Sequence, residues 1–446
     1  MTVKKALAVL LILLFCTACA RQEGPSGTVN DATEEAAETD NTEAGTESAE
    51  TTSTEADEKP AETYSYIENE DADNRFPRIP SIDVVQFGQY YFGAVKSSRN
   101  LYLHCYDGRN KAEEIVCGKP DCTHDTEECN AYYRRDIPGL SLYHGSLYWI
   151  GIEGEGKKDT LAMRCMDPFS GKRQTVRSID EKEIIHGYWP QRMRVHRGMA
   201  YLECMKQTIV EGAQPKHKLS LLAMPLSEKG ETRILFERDY DCLASMQVRY
   251  CGDYIFLFCS LNSSEPKRNW YEVYRINTED GACETVVSAL EPNCYIDDFW
   301  VDEAYRLLVS GRDKEDWTKA FVWQIEDGAL KDLYSFASMK GEAWPLLFDH
   351  IAFNLGYENG ERLCCICDFD GNVLFEGKLT QPTQIPDLYP ASCKVYGINI
   401  VGGDAGMLLV EYNVRDGKAV DDAVLVMYDL QKGMDCSVIW VESNGS

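Results

Sequence analysis

One short segment of the 446-residue chain brings together residue types that bind metal ions. Cys117, Cys122, His124 and Cys129 lie within thirteen residues, in the spacing C-x4-C-x-H-x4-C. Three thiolates and one imidazole can complete a tetrahedral zinc shell, because zinc takes sulfur and nitrogen ligands. The spacing therefore predicts a structural zinc site at these four residues, and zinc is the only candidate cofactor.

Two other arrangements of this segment stay open. Two of its three cysteines could form a disulfide, which is common in exported proteins, or the loop could be packed with its thiols reduced. A single residue separates Cys122 from His124, which is tight for two ligands of one ion, so ligand spacing alone does not decide. In all three cases we expect a structural role, since the segment would close a long loop between two blades.

Catalytic motifs are not recognisable in the sequence. It contains no G-x-S-x-G nucleophile elbow, no HExxH motif and no P-loop. His186 is the histidine that we would test, because it lies next to Trp189 in the sequence. Seven cysteines fall inside predicted strands, where small apolar side chains pack in cores. These are Cys105, Cys165, Cys204, Cys259, Cys364, Cys365 and Cys367.

The chain is strongly acidic, with 73 Asp and Glu against 45 Lys and Arg and a net charge of −28. Nucleic-acid recognition needs clustered basic residues, so we expect no nucleic-acid partner. Eighteen cysteines in 446 residues are too sparse for a disulfide-rich miniprotein. About half of the charge belongs to residues 20–74, where 17 acidic residues stand against Arg21 and Lys59.

Residues 1–19 have the features of an export signal. Two lysines precede ten apolar residues (6–15), a run too short to span a bilayer, and small residues then precede Cys19. The segment resembles a bacterial lipoprotein signal, although Cys16 stands where leucine is usual. The resemblance implies that Cys19 is lipidated and anchors the protein in the cell membrane, on the extracytoplasmic side. The alternative is a secretory signal that is cleaved nearby.

Residues 20–74 read as a linker. Thr, Ser, Ala and Glu dominate, and no aromatic residue occurs before Tyr64. Such a segment buries too little apolar surface to offset its chain entropy, so we predict that it is disordered. Its like charges would extend it, and it would hold the folded domain away from the membrane.

The remaining sequence alternates short apolar runs with polar turns, as expected for an all-β fold. A glycine in a polar turn recurs seven times between such runs, at Gly108, Gly171, Gly230, Gly281, Gly328, Gly371 and Gly433. An earlier hairpin precedes most of them, and residues 254–259 are apolar at every position, as in strands covered on both faces. This pattern predicts a β-propeller of seven four-stranded antiparallel blades over residues 75–446, with about 53 residues per blade.

Two β-sandwiches would also account for the strand content, but not for seven equivalent turns. Six or eight blades stay open, because terminal repeats are hard to phase. The run SLYWIG, followed by MRCMDPFSGKRQTV, resembles one blade of a TolB-like or YWTD-like propeller. The whole chain is similar to bacterial cell-surface lipoproteins that carry such a domain. This resemblance implies an architecture and not an activity.

One face of the predicted propeller is rich in aromatic residues. The loops between second and third strands lie on this face and are long and polar, and the connections between blades on the same face carry the aromatic residues. A ring of aromatics there could stack on sugars or hold a partner's apolar side chains; the alternative is that these residues pack between inner strands. The candidate ligand-binding residues are Tyr132, Tyr133, Trp189, Tyr240, Tyr295, Trp344 and Tyr389.

These observations favour a membrane-anchored binding or scaffold module that engages a surface protein or a cell-wall glycan. The alternative is an extracellular hydrolase or lyase acting on polysaccharide, whose paired carboxylates cannot be picked out from sequence alone. We expect a monomer. A solute-binding transporter lipoprotein would need an α/β pattern, which is absent.

Overall fold

The computed structural model describes residues 63–75, 84–97, 100–133, 139–153, 160–179, 189–209, 212, 214–264, 267–337, 344–404, 406–416 and 421–443. All of them belong to one compact unit, Pro60–Ser446. The predicted signal with Cys19, the predicted linker up to residue 62, and His186 lie outside the described residues.

The described strands form seven antiparallel sheets, the blades. Blade 1 contains β1 (Val84–Phe87), β2 (Tyr90–Ser97), β3 (Asn100–Asp107), β4 (Ala112–Ile115) and β5 (Tyr132–Tyr133). Blade 2 contains β6 (Ser141–Tyr143), β7 (Ser146–Glu153), β8 (Thr160–Asp167) and β9 (Lys172–Ile179). Blade 3 contains β10 (Trp189–His196), β11 (Met199–Thr208), β12 (Lys216–Pro225) and β13 (Arg233–Tyr240). Blade 4 contains β14 (Leu243–Cys251), β15 (Tyr254–Ser264), β16 (Lys267–Asn277) and β17 (Cys283–Leu290).

Blade 5 contains β18 (Cys294–Val301), β19 (Leu307–Asp313), β20 (Lys319–Glu326) and β21 (Ala329–Ala337). Blade 6 contains β22 (Trp344–Leu347), β23 (Ile351–Glu358), β24 (Glu361–Cys367) and β25 (Val373–Leu379). Blade 7 contains β26 (Lys394–Gly403), β27 (Met407–Arg415), β28 (Asp421–Asp429) and β29 (Asp435–Ser443). A short helix, α1 (Gln384–Leu388), connects blades 6 and 7. The prediction of a seven-bladed β-propeller is confirmed. In the described part of the chain, no helix has the length and apolarity needed to cross a membrane.

The second strand of a blade is buried on both faces, as its sequence predicts. In β15, Ile255, Leu257 and Cys259 pack with residues of blade 3. The alternate residues Phe256 and Phe258 pack with residues of blade 5. Because successive side chains of a strand point to opposite faces, an unbroken apolar run fills both contacts between blades. The seven repeated glycines all lie in the turn between third and fourth strands, and six of them have positive φ; Gly108 does not.

The ring closes without a blade shared between the two ends of the chain. Each blade is made of strands that are consecutive in sequence, so no described strand joins blade 1 to blade 7 across the contact between them. We call this contact the seam. Its core consists of Val84, Tyr91, Val95 and Tyr106 from blade 1 and of Val401, Met407, Leu409, Leu425, Ile439 and Trp440 from blade 7.

Residues 63–75, which we call the strap, cross the face of the ring where first strands turn into second strands. We call this face the turn face. Residues 63–74 fall within the predicted linker, yet the strap as a whole contacts six blades. The strap bonds to His144 of blade 2, His196 and Arg197 of blade 3, Tyr250 of blade 4, Glu303 of blade 5, Gln86 of blade 1 and Gly403 and Asp404 of blade 7.

Arg75 ends the strap at the seam. Its guanidinium donates to Gln86 of blade 1 (2.7 Å) and to Asp404 of blade 7 (2.9 Å), and it pairs with Asp73 through two nitrogens at 2.9 and 2.7 Å. Burial alone would raise the pKa of Asp73, but Arg75 holds that pKa below its ordinary value. One side chain therefore links both ends of the ring to the strap.

His196 fixes the middle of the strap. Its ring is 0% exposed. Nδ1 accepts the backbone N–H of Ala72 (3.0 Å), and Nε2 lies 2.7 Å from the carbonyl oxygen of Gly252. Both bonds form only when the ring is neutral with its proton on Nε2. Burial lowers the pKa of His196 to about 4, which keeps the ring in that state at neutral pH.

Arg75→Gln should lower the free energy of unfolding by about 2 kcal/mol, because it leaves two partly buried carboxylates without their cation. Denaturant titration of the purified protein measures this change. Arg415→Gln is the matched control, since Arg415 is half exposed and pairs with Asp421 at 3.5 Å; its effect should be small. Equal effects of the two substitutions would show that the Arg75 pairs do not hold the seam.

Acid should weaken the protein through His196. The folded-state pKa is below the value of about 6.5 in the unfolded chain, so the unfolded state binds the extra proton more readily. The stabilising contribution is complete above pH 6.5 and falls by about 3 kcal/mol as the pH decreases to about 4. His196→Gln keeps a donor and an acceptor but does not titrate, so its stability should depend less on pH over this range. Parallel stability curves for the two proteins would contradict this role of His196.

Candidate functional site

The four predicted metal ligands converge in the structure. One ligand atom from each of Cys117, Cys122, His124 and Cys129 lies within 4.8 Å of all the others. His124 has a φ of 54°, a left-handed conformation that few non-glycine residues adopt. This turn brings Nδ1 of His124 to 3.3 Å from Sγ of Cys129. Although a single residue separates Cys122 from His124, their ligand atoms also lie within 4.8 Å of each other.

The four residues belong to an excursion from the outer edge of blade 1, which we call the Cys/His loop (residues 116–131). Strand β4 pairs with the end of β3, and β5 pairs with its beginning. The loop leaves and returns at Leu103, which accepts the N–H of Val116 (2.9 Å) and donates to the carbonyl of Ala131 (2.8 Å). The outer strand of blade 1 is therefore interrupted, and the loop is closed at its base by main-chain bonds.

The Cys/His loop also packs tightly on blade 2. A Cβ atom at Gly118 would lie 1.9 Å from the carbonyl oxygen of Ser170, and one at Gly171 would lie 2.2 Å from the nitrogen of Gly118. The side chain of Asn130 donates to the Gly171 carbonyl (2.8 Å), and Arg173 donates to the Cys129 carbonyl (3.0 Å). The two blades thus meet backbone to backbone at this point, where only glycine fits.

All sixteen cysteines in the described part of the chain have free thiols. The seven that were predicted to lie in strands are buried. Cys365 and Cys367 share a face, as expected, with their sulfurs 3.5 Å apart.

The predicted aromatic residues whose side chains are described do not form an exposed ring. Tyr133 is 1% exposed and packs near Trp149, with ring centroids 6.1 Å apart. Tyr240 is 8% exposed and donates to Glu272 (2.9 Å). For these two residues the prediction of a ligand-binding surface was wrong, because contacts between strands bury their rings.

The other predicted aromatics have mixed environments. Tyr132 is half-buried with its ring edge-on to Tyr102. Tyr295 is half-buried beside Trp317, and Tyr389 donates to Asp422 (3.1 Å). Trp189 and Trp344 begin strands β10 and β22, but their side chains lie outside the described part of the structure.

A cavity of about 710 Å³ lies on the turn face, opposite the face that the sequence singled out. We call it the strap cavity, because residues of the strap form part of its wall. The other walls come from the ends of first strands and the turns that follow them in blades 1, 4, 5, 6 and 7. Five aromatic residues line it, namely Tyr64, Tyr66, Tyr250, Trp300 and Phe369.

The lining of the strap cavity is acidic. It contains Glu68, Asp73, Asp302, Glu303, Asp349 and Asp404, with Arg75 as its basic residue. The single positive charge of Arg75 is shared by Asp73 and Asp404, and Arg306 pairs with Asp302 at 2.6 Å. Negative charge therefore remains on this wall, which disfavours phosphate and other polyanions.

The described lining of the strap cavity contains no Ser–His or Cys–His pair for nucleophilic catalysis. Its thiol is Cys251, whose pKa burial raises to about 12, so it stays protonated and unreactive. The exposed ring of Tyr66, 54% accessible, can instead stack on a ligand. Sequence reasoning missed this site because it counted the strap as linker, although Tyr64, Tyr66 and Ile67 end an otherwise aromatic-free stretch.

No protein-family model matches the chain, and no curated protein sequence matches it. Solved structures share its propeller fold at low identity. An acylaminoacyl peptidase in complex with Z-Gly-Gly-Phe-chloromethyl ketone is 12% identical with a TM-score of 0.48; the match covers 83% of this chain and 52% of that one. The chain thus spans about half the length of that peptidase.

Two further propellers show the same level of similarity. The β-propeller domain of the Trilobed protease from Pyrococcus furiosus is 11% identical with a TM-score of 0.43, over 81% of this chain and 95% of that one. TolB from Acinetobacter baumannii is 12% identical with a TM-score of 0.33, over 65% and 63% of the two chains. Similarity at this level concerns the fold alone.

Proposed function

We propose that this protein is a lipid-anchored, extracytoplasmic binding module that holds a cell-envelope glycan in the strap cavity. The observation that carries the proposal is the cavity itself, which combines aromatic rings with carboxylates. Aromatic faces stack on the apolar faces of sugar rings, and carboxylates accept hydrogen bonds from sugar hydroxyls. Its volume of about 710 Å³ lies within the usual range for ligand pockets.

The charge of the lining narrows the class of glycan. Unneutralised carboxylates repel uronic acids and phosphate-bearing polymers, whereas they attract protonated amines. The proposed ligand is therefore a neutral or amino-sugar glycan. Carboxylates are also the residues that a glycoside hydrolase would use, so the test of binding includes a check for cleavage of the glycan.

The first residues of the chain support the proposed location. The apolar run before Cys19 and the small residues beside it support lipidation of that cysteine. Two acyl chains on one cysteine suffice for stable anchoring. The acidic segment that follows would place the propeller at a distance from the membrane.

Tyr66→Ala should weaken glycan binding about tenfold, because it removes one exposed stacking surface. Isothermal titration with N-acetylated and deacetylated chito-oligosaccharides measures the affinity, with polygalacturonate as the anionic comparison. Tyr396→Ala is the matched control, since Tyr396 is 53% exposed but lies on the opposite face of the ring, near the start of β26.

Three results would contradict the proposal that the strap cavity binds a neutral or amino-sugar glycan. These are loss of binding in Tyr396→Ala and not in Tyr66→Ala, preferred binding of polygalacturonate, and no binding of any of the three probes. Release of shorter oligosaccharides during the titration would instead support the enzymatic alternative.

Cys19→Ala should move the protein from the membrane fraction to the medium or the soluble exported fraction, because the acylated residue is lost. Fractionation followed by immunoblotting of the wild-type and variant proteins measures the distribution. Cys16→Ala is the matched control and should stay with the membrane. Membrane retention of Cys19→Ala would contradict the anchor, without bearing on the strap cavity.

A further inference from the structure

We infer that Cys117, Cys122, His124 and Cys129 bind one Zn²⁺ ion, and that this ion locks the interrupted outer strand of blade 1 against blade 2. Zinc binding at this site is independent of any ligand in the strap cavity, which lies elsewhere on the ring.

The first argument is the geometry of the four ligand atoms. A tetrahedral shell with zinc–sulfur distances of about 2.3 Å places neighbouring sulfurs about 3.8 Å apart. The four atoms in this protein all lie within 4.8 Å of one another, and the closest pair described, Nδ1 of His124 and Sγ of Cys129, is 3.3 Å apart. Small side-chain rotations therefore suffice to close the shell.

The second argument separates a metal from a disulfide. A disulfide uses two sulfurs, so it leaves the third thiol unpaired and gives no reason for the imidazole to be there. His124 nevertheless adopts a left-handed backbone conformation that turns its ring toward Cys129. A fourth ligand that is brought in at a conformational cost is expected at a metal site.

The third argument comes from the groups around the sulfurs. The backbone N–H groups of Lys119 and Asn130 lie near Sγ of Cys117, and the N–H of Ala131 lies near Sγ of Cys129. Such donors orient thiolate ligands and spread their negative charge. Lys119 also donates from its ammonium group to the Glu128 carbonyl within the same loop.

The donor set identifies the ion and its role. Three soft sulfurs and one imidazole favour zinc over calcium or magnesium, which prefer oxygen ligands. Four protein ligands leave no open position for water or substrate, so the centre is structural. The base of the loop is closed by hydrogen bonds at Leu103, and Gly118 and Gly171 leave no room for the loop to shift. The ion would thus fix the head of the loop on blade 2.

The test uses the full-length chain, purified in detergent under reducing conditions with zinc supplied. Elemental analysis should find about one zinc per chain. Cys122→Ser and His124→Ala should lose the zinc to a chelator, whereas His124→Cys, which restores four ligands, should retain it. Cys283→Ser is the matched control, because Cys283 is an exposed cysteine outside the cluster.

Two further readouts keep the test decisive if a variant folds poorly. Cobalt added to the metal-free wild-type protein should give thiolate charge-transfer bands and the visible bands of a tetrahedral site. Removing the metal should raise hydrogen exchange in peptides covering residues 112–133 and lower the melting temperature. A cluster disulfide in unreduced peptides, zinc-free protein with all three thiols titratable, or unchanged zinc content in Cys122→Ser would each overturn the inference.

Discussion

A propeller is a ring, so its stability depends on the contact between its first and last blades. Among the described strands of this protein none crosses that contact, because each blade consists of consecutive strands. The seam is held by an apolar core and by Arg75, which joins Gln86, Asp404 and the strap carboxylate Asp73. The strap thereby joins the first and last blades from the turn face, whereas a strand shared between the chain ends would join them within a blade.

The strap also creates the candidate ligand site. By crossing the turn face it places Tyr64 and Tyr66 over the ends of first strands, and the space left between them and blades 1, 4, 5, 6 and 7 is the strap cavity. Closure of the ring and formation of the site thus share the same residues. The Cys/His loop also joins neighbouring blades, since it packs from the outer edge of blade 1 onto blade 2.

The fold could be predicted from sequence because its cause is local. The glycine turns recur, and the unbroken apolar run of β15 fills both neighbouring contacts, as a strand buried on two faces must. The Cys/His cluster was predictable for the same reason, since its members lie close in sequence. Docking of the strap could not be predicted, because its four acidic residues look like part of the charged linker. In the structure, two of them, Asp71 and Asp73, are paired with Arg197 and Arg75, which are distant or late in the segment. Likewise, residue type alone could not tell the buried Tyr133 and Tyr240 from exposed aromatics.

Docking of the strap is the central claim, and amide hydrogen exchange of the full-length protein at neutral pH tests it most directly. The amide of Ala72 bonds to a fully buried imidazole, and the amide of Arg197 bonds to the carbonyl of Glu70. Both should be protected to the same degree as amides of the second strands. If the amides of residues 64–75 exchanged as fast as those of an unstructured peptide while the blades stayed protected, the account of ring closure and of the strap cavity would be contradicted.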